Sequence, residues 1–584
     1  MMALNIPSDA VRRPRSHSGR RALLSPLLIL ALAVAALPLL LLHTLTLPIG
    51  AMFFDTYVYI DAANRLADGQ IPSLDFFAPV GALGYYLFRI LLSVFPLGHP
   101  LLIASWSLLL VSAPLMALVL YDVDKHARRV AFALLVPFLL FSLLPFNTGG
   151  DFFPYPGSDG FGIYNRQICQ LMYVLAAALC FMRDPRRLAA AVCLTMLALL
   201  FVKVTGAVAG TVMCLAAFLA GRLPLRAAII AAVVFFAVIA GLELWLGLVS
   251  AYAADILALV EINEGGLIQR LMQAASLNFG PVLSAIVMAA ALLIFTARGW
   301  IGAIGAAVTR PSAKRLAQVF DHPAVWLGAF TIAGLIFESQ NTGSQAFIFF
   351  FPLVLMILIE SRAVLGAGAR FGVVLVAGLA ICLPLAVRIV ERSARAYLGA
   401  FQNERLVGTH LKTMAAVSAR PFFFLRAERM NHAYVAHRET FQDISENGEL
   451  SSFLMFSDFD YQITWLQNVD RAISGVQDFE AAHGVHFNTI MNIDFTNPFP
   501  YLMERSAPRF IAIGADPFRA VPPPDDRVKA AVAAVDLALY PTCPIGMTRL
   551  ALLKLYEPLL TATHDRVPIT PCFDGFVRKA LLAR

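Results

Sequence analysis

The chain has 584 residues, of which 59% are hydrophobic and only 14% charged, against about 25% charged in an average soluble domain. Its mean hydropathy is +0.72. Apolar runs of roughly 15–23 residues recur, which excludes a simple soluble domain and fits a polytopic helical membrane protein. The net charge of +7 does not point to nucleic acid, because the arginines form short clusters between apolar runs, the pattern of cytoplasmic loops.

Residues 1–21 are polar and basic, with Arg12, Arg13, Arg15, Arg20 and Arg21. The run Leu23 to Leu42 is long enough to span, and its basic flank places the N-terminus in the cytoplasm. It is long for a signal peptide and no small-x-small site follows, so an uncleaved helix is expected. The stretch from Ala51 to Arg89 then lies on the far side and carries Asp55, Asp61 and Asp75 beside aromatics. Asp55 or Thr56 as N-cap, a body through Ala67, Gly69 as stop and Pro72 beyond predict a short helix.

Val80 to Pro96 is apolar but short, and it contains Arg89. If it spanned, the basic loop DVDKHARR after the full span Leu101 to Tyr121 would face outward. The charge bias therefore makes 80–96 a juxtamembrane or re-entrant helix. Further runs follow at 130–144, 167–182, 188–201, 206–220, 227–249, 281–297, 324–337, 346–359 and 371–390. This arrangement has about eleven spans, and it puts every strongly basic loop on one side.

From about Glu391 the composition becomes that of a soluble domain on the outer side. Strand-like runs SFLMF (452–456), TIMNI (489–493), RFIAI (509–513) and DLALY (536–540) are separated by segments of helical character. The expected architecture is an α-helical polytopic membrane domain at 22–390, with outer juxtamembrane helices at about 55–96, and a C-terminal extracytoplasmic α/β domain at 391–584. Of seven cysteines, five lie in or beside apolar runs and read as small buried hydrophobes. Cys543 and Cys572 lie in the polar part, in an oxidising compartment, and are expected to form a disulfide. Neither CxxC nor HExxH occurs, so no metal site is readable.

Three polar clusters meet the outer membrane face. One is Asp55 with Asp61. Another is Asp151 and Asp159, followed by Tyr164, Asn165 and Arg166. The last is Lys203, set in LLFVKVTG near the outer end of a span. Charge at membrane depth costs several kcal/mol unless paired or functional. Arg166 and Lys203 sit at helix ends on the same side as Asp55, and together they make an anion-binding pair facing a carboxylate. Blander readings stand beside this one: Asp55 as a helix cap, Arg166 as an interfacial anchor, Asp159 as a turn residue in PGSDGFG. Asp61 and Asp75 read as solvated or turn residues. Glu338, Gln340 and Asn341 mark another outer span end, where a ligand contact and a plain interfacial loop weigh equally. Asp255, Glu261 and Glu264 read as the wet face of an amphipathic helix.

The N-terminal span ending in FFD (Asp55), followed by YVYIDAANRLADGQIPSLDFFAPVGALGYY, resembles the GT-C superfamily of polytopic glycosyltransferases that use lipid-phosphate-linked sugars. The resemblance covers mainly residues 22–210. It implies transfer of a sugar from a polyprenyl-phosphate donor to an envelope glycan, lipid or protein acceptor, at the periplasmic face of a bacterial inner membrane. It also implies that Asp55 is the base and that the first outer loop folds as juxtamembrane helices, in agreement with the reading of 80–96. On this view Arg166 and Lys203 hold the donor phosphate, while Asp151, Asp159, Tyr164, Asn165 and Asn341 line the substrate site. YNRQ (164–167), FVKVTG (201–206) and DFTNPFP (494–500) are similar to segments of bacterial membrane proteins of this kind and imply no activity by themselves. Thr56, not a second carboxylate, follows Asp55, so a divalent metal is left open. A transporter or flippase is the rival reading. It predicts polar residues near the midplane and paired broken helices, whereas the polar groups here gather at one face and no internal repeat stands out. A membrane-anchored glycan-binding protein is the third, since the soluble part shows neither GxSxG nor a phosphate loop.

Overall fold

The computed structural model describes residues 25–78, 80–149, 157–263, 266–340, 343–449 and 458–582. The helices of the first half are α1 (Pro26–Leu41), α2 (Asp55–Ala67), α3 (Leu83–Val94), α4 (Pro100–Trp106), α5 (Leu109–Leu143), α6 (Ile163–Phe181), α7 (Pro185–Val202) and α8 (Val204–Leu219). Next come α9 (Leu225–Leu246), α10 (Leu248–Ile262), α11 (Leu267–Leu277), α12 (Phe279–Thr309), α13 (Ala313–Phe320), α14 (Pro323–Glu338), α15 (Phe350–Leu365) and α16 (Ala369–Gly399).

Among the described residues, five helical stretches are long and apolar enough to cross a membrane: 100–143, 185–202, 225–246, 279–309 and 369–402. The bent pair α13 and α14, at 69°, makes a sixth if taken as one. The eleven spans read from the sequence therefore stay a proposal. Within α5 the chain leaves helical geometry at Ala127 (φ −149°, ψ 66°), inside the DVDKHARR segment where the sequence predicts a turn between two runs. The stretch 80–96 holds a helix, α3, of only 12 residues, too short to span; its juxtamembrane placement stays a proposal.

The basic loops lie together. Asp122 Oδ1 accepts from Arg187 at 2.8 Å and Asp122 Oδ2 from the Arg183 N–H at 2.7 Å. Arg222 pairs with Asp321 at 2.6 Å and with Glu360 at 2.5 Å. One end of the bundle thus gathers the arginines and their carboxylates. The opposite end carries α2, α3 and the chain beyond α16.

Short strands join that chain to the loop after α1. β1 (Leu47–Pro48) pairs in parallel with β3 (Val417–Ala419), which pairs antiparallel with β2 (Glu404–Arg405). The loop after α1 is thereby stitched to the segment after α16. Helices α17 (Pro421–Ala436), α18 (Arg438–Glu446) and α19 (Phe459–His483) follow. A four-stranded sheet of order β4-β5-β7-β6 comes next, from β4 (Ile490–Asn492), β5 (Leu537–Pro541), β6 (His564–Thr570) and β7 (Phe573–Arg578). β4 and β5 are parallel and the rest antiparallel. Helices α20 (Phe499–Met503), α21 (Asp526–Ala534), α22 (Met547–Leu560) and α23 (Lys579–Leu582) complete the unit.

TIMNI and DLALY contain β4 and β5, as expected. RFIAI does not form a strand. Phe510 takes a positive φ of 65°, and the N–H groups of Phe510 and Ile513 bond instead to the carbonyls of Asp75 (2.6 Å) and Phe77 (3.1 Å). Its alternating apolar residues serve the seam between soluble unit and juxtamembrane loop, not the sheet. SFLMF lies outside the described residues. The hairpin β6–β7 is absent from the sequence reading, because HDRVPIT is polar and half-exposed at the sheet edge. Cys543 and Cys572 are joined in a disulfide, with Cα atoms 5.0 Å apart.

Candidate active site

Asp55 opens α2, but not as its cap. The N-cap is Phe54, with no side-chain capping bond, so the expected Asp55 or Thr56 cap is corrected. Gly69 (φ +77°) ends the helix region as predicted, supplying the left-handed turn. With its carboxylate released from capping, Asp55 turns toward the loop before α6.

Close backbone packing makes that approach. Ile49 bridges Ser158, and the Ser158 N–H bonds to the Pro48 carbonyl at 2.9 Å. A Cβ on Gly157 would lie 2.0 Å from the Ile49 carbonyl oxygen, so no other residue lets these two loops stack. Likewise a Cβ on Gly81 would lie 2.2 Å from the Phe201 carbonyl oxygen, while the Gly81 N–H bonds to the Val202 carbonyl at 3.0 Å. The start of α2, the start of α6 and the α7–α8 break are drawn together. Lys203 sits in that break with extended dihedrals (φ −166°, ψ 132°).

Asp55 is buried, and the Gly162 N–H donates to its carboxylate. Burial is the dominant influence and lifts its pKa to about 7, against the opposing pull of the Gly162 hydrogen bond and the Arg166 charge. Its field reaches the hydroxyls of Tyr59, Tyr85 and Tyr164. Tyr59 is held edge-on by Tyr85 at 5.3 Å and by Phe88 at 5.5 Å. A carboxylate that titrates near neutrality in such a setting is suited to taking a proton.

Arg166 is buried at the first turn of α6, and its terminal nitrogens are committed. Nη1 donates to Asn147 Oδ1 (3.1 Å) and to the carbonyls of Asp159 (3.1 Å) and Phe161 (3.2 Å). Nη2 donates to the Asp159 carbonyl (3.1 Å) and to Ser105 Oγ (3.5 Å). Arg166 thereby ties Asn147, Asp159 and Phe161 to the start of α6; its expected phosphate role stays a proposal. Asp159 shares that work. It is only 1% exposed, accepts from the Asn147 N–H at 2.7 Å and pairs with Arg392 at 2.8 Å. Burial raises its pKa against the lowering effect of Arg392. Arg388 and Arg392, four apart at the end of α16, also donate to the carbonyls of Thr148 (3.1 Å) and Asn147 (2.8 Å). The sequence reading missed both. Their signal was two arginines at an outer helix end, where the charge bias disfavours them.

Lys203 faces the other side of Tyr164. Its Nζ lies 4.9 Å from the Tyr164 ring centre, 3.5 Å from Asn165 Oδ1 and 3.4 Å from the Gln340 carbonyl. Glu338 exerts an attractive field on it and accepts from Ser344 Oγ at 2.8 Å. Asn165 donates to the Gly343 carbonyl at 3.2 Å, and Arg270 donates to Gln340 Oε1 at 3.1 Å. Asp55, Tyr164, Asn165 and Lys203 are therefore brought together. Asp151 and Asn341 lie outside the described residues, as does Glu264.

Two acidic residues depart from their expected wet settings. Asp61 is 2% exposed and paired with Arg65 at 2.9 Å, whose Nη1 reaches the Pro508 carbonyl at 2.6 Å. Asp255 is buried where the juxtamembrane loop passes α10, accepting from the Ala78 N–H at 3.5 Å. Burial lifts its pKa to about 6. Tertiary packing overrode their amphipathic spacing.

The C-terminal unit covers the start of α2. Phe54 meets Phe495 edge-on at 5.4 Å and Trp465 at 6.4 Å, and Tyr57 meets Trp465 at 4.7 Å. Phe495 belongs to DFTNPFP. Its neighbour Asp494 pairs with buried Arg549 at 3.0 Å and accepts from Trp465 Nε1 at 3.2 Å. Further along, the Arg519 carbonyl accepts from Asn263 Nδ2 at 2.9 Å, and the Arg519 charge is felt at Tyr164. Among the described residues no three His, Cys, Asp or Glu side chains gather to hold a metal ion.

No protein-family model matches this chain, and no curated protein sequence does. Among solved structures it is similar to ArnT from Cupriavidus metallidurans in the apo state, at 12% identity and a TM-score of 0.40, covering 97% of this chain and 98% of that one. The same protein bound to undecaprenyl phosphate aligns at 14% identity and a TM-score of 0.37, covering 97% and 99%. The archaeal oligosaccharyltransferase AglB from Archaeoglobus fulgidus, in complex with an inhibitory peptide and a dolichol-phosphate, aligns at 14% identity and a TM-score of 0.27, covering 95% and 74%.

Proposed function

We propose that the chain is a membrane glycosyltransferase that moves a sugar from a polyprenyl-phosphate donor to a hydroxyl of an envelope glycan, lipid or protein. The observation that carries this reading is Asp55: a buried carboxylate at the mouth of a membrane bundle, titrating near 7, with a lysine across one tyrosine from it. The sequence resemblance of residues 22–210 to GT-C transferases supports it.

In the proposed reaction Asp55 takes the acceptor hydroxyl proton as general base. The acceptor oxygen forms a bond to the anomeric carbon. The bond from that carbon to the phosphate oxygen breaks, and polyprenyl phosphate leaves with the electron pair. Phosphate is a good leaving group, so the demand is for stabilising negative charge, not for a general acid. Lys203 meets that demand, with Asn165 and Tyr164 orienting its ammonium. One displacement inverts the anomeric centre. Arg166, Asp159 and Arg392 act as positioning residues that hold residues 147–149 and 157–162, and with them the Gly162 N–H, against Asp55. The arginine-rich end is cytoplasmic and the Asp55 end periplasmic, following the charge bias. The described donor set around Asp55 is one carboxylate with phenols, so no step is routed through a metal.

The test is a transfer assay on the purified chain in lipid, with a panel of polyprenyl-phosphate sugars, with and without chelator. Product with the wild type, lost in Asp55→Asn while donor binding persists, supports the reading. Donor bound but never consumed by the wild type, with a lipid-linked glycan crossing reconstituted vesicles, overturns it in favour of a flippase.

A further inference from the structure

A second polar space lies at the far end of α2. It is a cleft of about 360 Å³ between α2, α3 and the soluble unit, and Asn64, Asp68, Arg89, Lys412, Glu504 and Arg505 line it. Asn64 is two and a half helical turns beyond Asp55, about 14 Å along the axis, so the cleft is distinct from the site above.

Its lining carries three cations, Arg89, Lys412 and Arg505, and two carboxylates, Asp68 and Glu504, and a third carboxylate, Glu480, stands behind Arg505. Lys412 is tied to Glu504 at 3.2 Å and to the Tyr501 carbonyl at 2.9 Å. Arg505 reaches Glu480 at 3.6 Å, but its Nε is buried without a hydrogen-bond partner. Arg89 makes no hydrogen bond or ion pair among the described residues, and its charge is felt at Tyr501. Lys412 (φ 52°) and Glu504 (φ 59°) both hold left-handed backbone conformations that non-glycine residues rarely adopt. Strain of this kind is retained where the surroundings over-determine it.

The cleft borders an apolar face. On α3 and just beyond, Tyr86, Ile90, Val94 and Leu97 are 39%, 50%, 60% and 59% exposed. The first three follow at helical spacing, one turn apart, and make a stripe along one side of the helix. Arg89 stands next to Ile90 at its edge. A stripe that suits acyl chains thus runs beside a cleft rich in hydrogen-bonding groups, with Arg89 at their border.

We infer that this cleft holds the headgroup of an anionic phospholipid, with an acyl chain along the Tyr86–Ile90–Val94 stripe. The phosphate meets Arg89, with the Lys412 ammonium as a further donor. Headgroup hydroxyls meet Asp68, Asn64 and Glu504. The inference rests on the membrane reading of the chain and not on sugar transfer, so its test is a binding measurement.

The full chain in detergent micelles is titrated with phosphatidylglycerol, phosphatidylcholine and, separately, glycerol 1-phosphate, and bound ligand is counted by native mass spectrometry. One phosphatidylglycerol is expected to be retained about tenfold more tightly than phosphatidylcholine, from charge-assisted hydrogen bonds. Arg89→Gln loses that preference, while Arg298→Gln, at the other end of the bundle, keeps it. Lys412→Gln, which weakens the preference in part, serves as a second variant should Arg89→Gln not fold. Equal retention of both lipids by the wild type, or an unchanged preference in both Arg89→Gln and Lys412→Gln, overturns the inference. Glycerol 1-phosphate binding as tightly as the lipid also overturns it, in favour of a soluble oxyanion.

Discussion

Replacing Asp55 by asparagine should abolish transfer and stabilise the protein at the same time. The ordinary pKa of 3.8 is raised to about 7 in the fold by burial. Each tenfold change in proton affinity corresponds to about 1.4 kcal/mol. The folded state therefore binds this proton more tightly than the unfolded chain does. The contribution to stability is full below the unfolded value and is lost as pH rises through the folded value. Integrating between the two states, the ionised carboxylate costs about 4 kcal/mol at pH 8 and about 2 kcal/mol at pH 5. Asparagine carries no charge at either pH. Asp55→Asn should exceed the wild type in stability by more at pH 8 than at pH 5, with the two gains about 2–3 kcal/mol apart. Thermal unfolding of the full chain in nanodiscs at both pH values reads this difference. In the same preparation, wild-type turnover should rise about tenfold from pH 5 to pH 6, as the base ionises while Lys203, whose pKa burial lowers to about 7, stays protonated. A gain for Asp55→Asn that is equal at both pH values, or a wild-type rate flat across that range, would refute the reasoning.

Lys203→Met should lower turnover about 100- to 1,000-fold, the usual cost of removing one stabiliser of developing charge; a loss below threefold excludes the assigned role. Arg549→Leu strands Asp494 as an unpaired buried charge and should cost about 3–5 kcal/mol, seen as a lower unfolding midpoint, with partial recovery in Asp494→Leu/Arg549→Leu. Reducing the Cys543–Cys572 bridge, which closes a separation of 29 residues, should cost about 3–4 kcal/mol by chain entropy and lower the unfolding midpoint while leaving transfer at low temperature intact. Arg392→Gln removes the partner of buried Asp159 and should reduce turnover through loss of the loop, with a normal rate returning in Arg392→Lys to the extent that the pair re-forms.

Much of the architecture was legible because it depends on local pattern. The short helix after FFD needed only its own residues: an apolar face, Gly69 to stop it and a proline soon after. That 80–96 holds a helix too short to span was readable from the length of its apolar run, and α3 has 12 residues. The two strands TIMNI and DLALY were readable as short apolar runs. RFIAI, with the same pattern, was misread, because its partner is the juxtamembrane loop around Asp75 and Phe77 and not a strand.

The site divides along the same line. Sequence alone singled out Asp55, Tyr164, Asn165 and Lys203 as polar residues at apolar borders, and charge in a poor environment is conspicuous without any coordinates. Which partners they meet was decided only by the tertiary structure. Arg166 and Lys203 looked alike in the sequence. One is surrounded by loop carbonyls, and the other stands against a tyrosine ring. The loop contacts of Arg388 and Arg392 and the docking of Phe495 and Trp465 on Phe54 join residues more than 200 positions apart. Helical and strand periodicity reports which face of an element is buried, and it carries no information about what distant segment buries it. Backbone contacts as close as those at Gly81 and Gly157 are invisible until two loops are seen stacked.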